Sequence, residues 1–184
     1  GPGAAQTRRP WRAARALSGG VVTDQLIHDV DGARGVAGEV VRVSAVSVRG
    51  GTDAGPVEAA HVLLTHASGA ISHVAGIWGP QHLGFSTEYS VTGTLGSLSH
   101  RSRDEVDYVA DLAVPEAVDG FLPAVDRADD PYGLELAEFF GAVSDPGKPE
   151  PRVTAAAGAA AGCIANAALE SIETGQPVTL GGGA

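Results

Sequence analysis

The chain has 184 residues, of which 43% are hydrophobic, 18% charged and 5% aromatic. It is therefore long enough for one domain, or part of a larger one, with a core built largely from Ala, Val, Leu and Ile. The formal net charge of -10, from 12 basic and 22 acidic residues, argues against nucleic acid or an anionic membrane as a partner, because both need a basic face.

Cysteine and methionine usage add two expectations. The single cysteine, Cys163, cannot form an internal disulfide, which favours a reducing, cytoplasmic location, and we expect it to be a small buried side chain. Methionine is absent, including at position 1, so we expect the chain to be processed or a fragment. No signal peptide or membrane span is visible, since the longest apolar-rich run, residues 155–169, is short for a bilayer.

The first segment of the chain, residues 1–18, is rich in arginine and contains Trp11, and we predict an irregular lead-in. Two glycines, Gly19 and Gly20, then precede a run without Gly or Pro. This pattern predicts a helix from about residue 22 to residue 36, closed by Gly38. Thr23 or Asp24 is expected to cap its N-terminus.

An acid and an imidazole stand four residues apart in this helix. Asp24, His28 and Asp31 would lie along one side of it, because residues three and four apart are neighbours on a helix surface. A carboxylate that fixes the tautomer of an imidazole is the minimum equipment for proton transfer near neutral pH. The plainer interpretation is an acid favoured by the helix dipole beside an ordinary polar histidine. We predict no metal here, because no Cys or second His joins the group at ligand spacing.

Three strands follow the helix. Alternation of polar residues with valines over 39–49 predicts the first, and residues 57–66 and 70–78 predict a hairpin. With a two-residue turn at Ser68-Gly69, His66 and His73 would share one sheet face and His61 would lie on the other. A slip of one residue would reverse this assignment.

The second half of the chain adds strands and two helices. The elements expected there are strands at 85–92, 97–100 and 106–112, a tight turn at 93–96, a loop at 114–130, a helix at 131–143, a helix capped by Thr154 and ended by Gly175, and an edge strand at 178–180. Strands in succession without intervening helices predict an α+β fold rather than a doubly wound parallel sheet.

The order of these motifs resembles one family. They are Trp11-Arg12, Gly19-Gly20, Asp24-x-x-x-His28-x-x-Asp31, Gly93-Thr94-Leu95-Gly96-Ser97-Leu98, Glu135-Leu136 with Phe139, and Ser171-x-x-Thr174-Gly175-x-Pro177-Val178. Together they are similar to the C-terminal, substrate and oligomerisation domain of the Gfo/Idh/MocA oxidoreductases, over nearly all of residues 10 to 180.

The resemblance implies an open, mainly antiparallel sheet with helices on one face, while the other face makes homo-oligomers. It implies a Rossmann domain that binds NAD or NADP, and a sugar, cyclitol or related polyol as the small-molecule substrate. By motif, Asp24 would orient His28, and His28 would be the acid/base beside the reacting hydroxyl, with Asp31 structural. The residues expected to line the substrate pocket are Trp11, Arg12, Trp78 and His82.

Three features depart from that family. Residues 1–18 form the lead-in and residues 19–180 the domain, so no dinucleotide-binding domain is expected, and the glycines at 1–3 and 181–183 lack the strand and helix context of one. The family's catalytic lysine is missing, since the sole lysine, Lys148, lies in a Pro-Gly turn. Leu26 stands where the family usually has glycine, and it could narrow the pocket.

These observations favour the substrate-binding and oligomerisation part of an NAD(P)-dependent oxidoreductase, which should not transfer hydride alone. One alternative is a stand-alone, cofactor-independent lyase or isomerase that acts on a sugar-like substrate through Asp24 and His28. The other is a non-catalytic binding or assembly module, in which replacing His28 would have no effect.

Overall fold

The computed structural model describes residues 15–52, 55–79, 85–102, 109–112, 131–145, 147 and 151–181. The chain divides into two compact units, residues 1–83 with 152–184 and residues 84–151. In chain order the elements are α1 (Arg15–Ser18), a π turn (Val22–Leu26), α2 (Ile27–Ala37), β1 (Val40–Thr52), β2 (Gly55–His66), β3 (Ile71–Trp78), β4 (Glu88–Gly93), β5 (Gly96–Arg101), β6 (Val109–Leu112), α3 (Pro131–Ser144), α4 (Ala155–Thr174) and β7 (Val178–Thr179).

The first unit is an open antiparallel sheet with helices on one face. Its strand order is β3-β2-β1-β7, and every described pairing is antiparallel. Apolar side chains of the π turn, α2 and α4 pack against the inward residues of the strands; they include Val22, Leu26, Val30, Ile164, Ala165, Ala168, Val43, Ala45, Val62, Leu64 and Val74. The predicted α+β class and the placement of helices on one face are confirmed.

The opposite face of this sheet carries a second set of apolar side chains that nothing in the described chain covers. We call it the outer sheet face; its residues are Val46, Val48, His61, Leu63, Ile71, His73 and Ile77. Strand geometry requires this split, because successive side chains alternate between the two faces. Val46 and Val48 are each 67% exposed, whereas Val43 and Ala45, on the inward face of β1, are buried.

The β2–β3 hairpin differs from the predicted one by a single residue. The N–H of Gly69 donates to the carbonyl of His66, and the N–H of His66 donates to the carbonyl of Ala70, both at 2.9 Å. The loop therefore has three residues and ends in Gly69 at a φ of +86°, as in a type I turn with a glycine bulge. Thr65 pairs with Ile71 and Leu63 with His73, so the predicted face assignment of the histidines is reversed.

The second unit contains the sheet β4-β5-β6 and the helix α3. Gly93 pairs with Gly96, which confirms the predicted tight turn, and α3 confirms the predicted helix at 131–143. The predicted loop at 114–130 lies outside the described residues, as do residues 1–14 of the lead-in. Residues 15–18 form α1 rather than an irregular segment.

The helix α4 begins and ends where the sequence predicts. The Thr154 hydroxyl oxygen accepts from the N–H of Ala157 at 3.1 Å, and Gly175 closes the helix at a φ of +67°. By length and composition alone this 20-residue helix could cross a membrane, which corrects the expectation that the run is too short. In the fold its buried side packs on β1, and Cys163 lies on the opposite side, exposed rather than buried as expected.

A hydrogen bond from a serine of α4 adds to its apolar packing on β1. The short strand β7 pairs with β1 only at Arg42 and Val43. Two residues along the same edge, the N–H of Ala45 donates instead to the hydroxyl oxygen of Ser171 at 2.9 Å, and the Ser171 side chain is 1% exposed. The helix thus supplies the partner that a longer β7 would have provided, as buried backbone N–H groups require.

We expect Ser171→Ala to lower the free energy of unfolding by about 1–3 kcal/mol, because it leaves the buried N–H of Ala45 without an acceptor. Urea unfolding followed by circular dichroism measures the change. Thr174→Ala is the matched control, since its hydroxyl donates to the carbonyl of Glu170 and accepts from the N–H of Gln176 in an exposed position near the helix end. A change of less than about 0.5 kcal/mol in Ser171→Ala, as for ordinary surface substitutions, would contradict this role.

Candidate functional site

The helix that carries Asp24 and His28 begins at two glycines with positive φ, +72° at Gly19 and +76° at Gly20. At Gly20 the restriction is also spatial. A Cβ there would lie 2.7 Å from a carboxylate oxygen of Glu58, a residue of β2. Glycine is thus the residue that permits both this backbone turn and the close approach of the strand.

The carboxylate of Glu58 takes the place of the predicted local cap. One of its oxygens accepts from the backbone N–H of Val21 at 3.4 Å, and the other accepts from the guanidinium of Arg49 at 3.0 Å. A negative group at a helix N-terminus is stabilised by the helix dipole. The prediction that Thr23 or Asp24 caps the helix is wrong, because both lie inside the π turn and the capping position, Val21, has no side-chain hydrogen bond.

The helix opens with a π turn before it becomes α-helical at Ile27. Asp24 lies within the π turn and is half-buried, whereas His28 lies in the first turn of α2 and is exposed. Isolated π turns are rare and are frequent at functional sites, because they re-aim side chains relative to a regular helix. The structure therefore places the predicted acid and imidazole on one element, at the junction of two helical geometries.

A second carboxyl lies directly beside His28. Partial burial raises the pKa of the Asp29 carboxyl above its ordinary value of 3.8, and attraction to the charge of His28 offsets part of that rise. Asp31 is half-buried two residues further along. His28 is thus followed along α2 by two carboxyl groups, those of Asp29 and Asp31.

Leu26 is a core residue and does not narrow a pocket, contrary to what its size suggested. Its side chain is fully buried and packs on Gly76 of β3, where a Cβ would lie 2.4 Å from the Leu26 Cδ2 atom. The contact holds the π turn against the sheet, and it needs glycine on the strand. The bulky residue is therefore part of the core, and the exposed His28 lies on another side of the helix.

Of the four residues predicted to line the substrate pocket, the structure describes one, Trp78. Trp78 is half-buried at the end of β3, on the same inward face as Gly76, and packs against the core. Trp11, Arg12 and His82 lie outside the described residues.

His66 has a structural role that its burial makes clear. It is 1% exposed, and its Nδ1 lies 2.6 Å from the carbonyl oxygen of Gly38. Because a carbonyl can only accept, Nδ1 donates to it, and Nε2 lies 2.8 Å from the hydroxyl oxygen of Ser72. The side chain therefore ties the end of α2 to the hairpin.

The pair that the sequence pattern missed is His61 with His73. Both lie on the outer sheet face, with ring centroids 5.3 Å apart and planes inclined by 12°. The Nδ1 atom of His61 lies 3.1 Å from the Nε2 atom of His73. Gly69 is the signal that could have revealed the pair, because a glycine at the third loop position favours a three-residue loop with a bulge.

The described residues do not fit a dinucleotide. In that part of the chain no glycine-rich loop joins a strand to a helix, and no sheet is parallel, so the elements that cradle a pyrophosphate are not present there. Among the same residues, no group of three or more His, Cys, Asp or Glu side chains is arranged to hold a metal ion.

Comparison with known proteins identifies the family of this chain and solved structures that share its fold. A family model described as the GFO/IDH/MocA C-terminal domain matches residues 1–99, and none of the curated proteins compared matches the chain. Among solved structures, the chain is similar to the WlbA dehydrogenase from Bordetella pertussis in complex with NADH and UDP-GlcNAcA, with 17% identity and a TM-score of 0.70 over 98% of this chain and 51% of that one.

Two further solved structures share the fold. The aldose-aldose oxidoreductase from Caulobacter crescentus, complexed with glycerol, is 22% identical, with a TM-score of 0.68 over 92% of this chain and 50% of that one. A myo-inositol dehydrogenase from Corynebacterium glutamicum is 23% identical, with a TM-score of 0.57 over 93% of this chain and 53% of that one. The chain thus spans about half the length of the solved structures that it matches.

We expect Gly76→Ala to destabilise the fold by about 1–3 kcal/mol, because the new methyl group would overlap the buried Leu26 side chain. Urea unfolding measures this loss, and Gly50→Ala in β1, where a Cβ meets nothing within 4 Å, is the control. Combining Gly76→Ala with Leu26→Ala should destabilise by less than the sum of the two single changes. Strict additivity would mean that the two side chains do not share this space.

Proposed function

Because the chain belongs to the Gfo/Idh/MocA family through its C-terminal domain, we propose that it is the substrate-binding and oligomerisation part of an NAD(P)-dependent oxidoreductase. The proposed substrate is a sugar, a cyclitol or a related polyol. Asp24 and His28 form the proposed proton-transfer pair. The single observation that carries the proposal is their position on one helix, four residues apart at the π turn, with the imidazole exposed.

Oxidation of an alcohol by NAD(P) removes a proton from the hydroxyl group and a hydride from the carbon. The step proposed for this chain is removal of the proton. His28 is exposed, so it is accessible to a hydroxyl group of a bound polyol and can take its proton. Asp24 is half-buried in the π turn, which suits a carboxylate that orients the ring rather than one that reacts.

The hydride half requires NAD or NADP, and the described residues have no place for one. The proposed partner is therefore a dinucleotide-binding domain, either elsewhere in a longer polypeptide or in a separate chain. The solved structures in the comparison support this, since the chain covers about half of each and one of them is a complex with NADH. We expect the 184-residue chain alone to show no NAD(P)H-linked turnover.

The substrate class is supported by the kinds of dehydrogenase that share the fold. The names of two of them concern myo-inositol and aldoses, which are polyhydroxylated molecules. Trp78 is the described aromatic side chain that could stack on the apolar face of such a ring, together with Trp11, Arg12 and His82 as further lining residues. A cytoplasmic location accords with such a substrate and with a chain that has a single thiol.

The proposed assembly uses the outer sheet face and a second copy of the chain. Several of its side chains are large, apolar and more than half exposed: Val46, Val48, Ile71 and Ile77. Contiguous apolar patches on a sheet face are typical of interaction surfaces, because leaving them in water is unfavourable. None of the side chains that define this face belongs to Lys, Arg, Asp or Glu, so pairing two copies of it would bury no such charge.

The first test is polyol binding. We expect saturation-transfer NMR to detect weak binding of myo-inositol or an aldose to the 184-residue chain. His28→Gln and Asp24→Asn should weaken it by about tenfold or more, the effect of losing a hydrogen bond to a charged group. His73→Ala, on the outer sheet face, is the control and should bind normally.

Two results would contradict the proposal. Unchanged polyol binding in both His28→Gln and Asp24→Asn would remove the pair from the site. Turnover of a polyol by the chain without any nucleotide, lost in His28→Gln, would instead establish the cofactor-independent lyase or isomerase. Thermal unfolding of each variant shows whether a loss of binding comes from a loss of fold.

The second test is the assembly state. We expect sedimentation velocity to show a dimer or a larger homo-oligomer, and Val48→Glu or Ile77→Glu to shift it towards monomer, because a carboxylate would have to be buried without a partner. Val36→Glu is the matched control, since Val36 is 66% exposed on α2, away from the sheet. A monomeric wild type at the same concentration would show that this face does not self-associate.

A further inference from the structure

The histidine pair on the outer sheet face has no part in the proton chemistry proposed for Asp24 and His28. His61 projects from β2 and His73 from β3, and both side chains are exposed. Their cross-strand positions bring two ring nitrogens to within 3.1 Å. Nothing in the hydrophobic core depends on either ring, since both lie on the face opposite to the helices.

The separation of the two nitrogens suits a metal ion as well as a hydrogen bond. Two Zn–N bonds of about 2.0–2.1 Å at a tetrahedral angle place the nitrogens about 3.3 Å apart. The observed 3.1 Å is close to that value. Both side chains are exposed, so the two rings are free to rotate and direct their lone pairs towards a common ion.

The surroundings leave room for an ion. A shallow hollow of about 160 Å³ is lined by Ser44, Ala45, Val46, His61, Leu63 and His73. No lysine or arginine is among these lining residues, so no neighbouring cation would repel a metal ion there. Apart from the two histidines, Ser44 is the lining residue with a polar side chain, and the others are small or apolar.

We propose that His61 and His73 form a two-histidine chelate for a divalent transition-metal ion, with Zn²⁺ as the ion to test. Imidazole nitrogens suit zinc, copper and nickel, and the absence of carboxylates from the hollow disfavours calcium and magnesium. Both ligands come from one chain, so the site does not require the oligomer proposed above. The remaining coordination positions are filled by water or, in an assembly through this face, by the same histidines of a second copy.

The experiment is a titration of the 184-residue chain with ZnCl₂, followed by calorimetry and by imidazole ¹H–¹⁵N NMR. We expect the Nδ1 signal of His61 and the Nε2 signal of His73 to shift together, while the buried His66 does not move. His61→Ala and His73→Ala should each lower the affinity by about tenfold or more, since each removes one of two protein ligands. His100→Ala, a histidine of β5 in the other unit, should leave it unchanged.

Further measurements distinguish this chelate from a site shared between two copies, from a hydrogen bond without metal and from a metal site elsewhere. Zn²⁺ binding that persists in Val48→Glu, together with a monomeric state in sedimentation, identifies a chelate within one chain; loss of binding there would overturn that assignment. Absence of any shift at either ring would show that the pair is a hydrogen bond alone. Zn²⁺ binding that survives both single substitutions, or that is lost in His28→Gln, would place the ion elsewhere and overturn the proposal. Polyol binding is read independently of all these results.

Discussion

The packing of the π turn and α2 against β3 is the contact on which the rest of this molecule depends. It brings a fully buried leucine, Leu26, onto a strand glycine, Gly76, with no room for a Cβ between them. The opposite end of the same segment is held by the carboxylate of Glu58 from the neighbouring strand. Together these contacts decide which side of the helix is buried and leave His28 exposed.

The two faces of the sheet have different roles because strand geometry separates them. The inward face is closed by α2 and α4, and Ser171 completes the hydrogen bonding of β1 where β7 ends. The outward face keeps apolar side chains and the His61–His73 pair in contact with water. The candidate proton-transfer site and the proposed assembly surface thus belong to different surfaces of one unit, so each can be tested by substitutions that leave the other intact.

The proposed function draws on similar solved structures that are about twice as long as this chain. The fold is shared at identities of 17–23%, which shows common architecture and leaves the substrate and the partner to experiment. The chemistry proposed for Asp24 and His28 is the transfer of a proton. Any redox step has to come from a group that these residues do not hold.

Local sequence determined most of the secondary structure. The α4 boundaries follow from Thr154 and Gly175, whose capping geometry depends only on neighbouring backbone groups. The strands of the first sheet follow from alternation of valines with polar residues, and the succession of strands without helices predicts the α+β class. The placement of Asp24 and His28 in one helical segment also follows from the local sequence, because no Gly or Pro interrupts the run between them.

The tertiary structure alone decided the features that depend on distant residues. The cap from Glu58 comes from a strand 37 residues away, so the N-terminal sequence favoured Thr23 or Asp24 instead. The exposure of Cys163 and the burial of Leu26 depend on which side of each helix meets the sheet. The histidine pairing depended on one residue of loop length, because a sheet has a period of two and a shift of one exchanges its faces. Sequence therefore specified the elements, and packing specified which side chains meet.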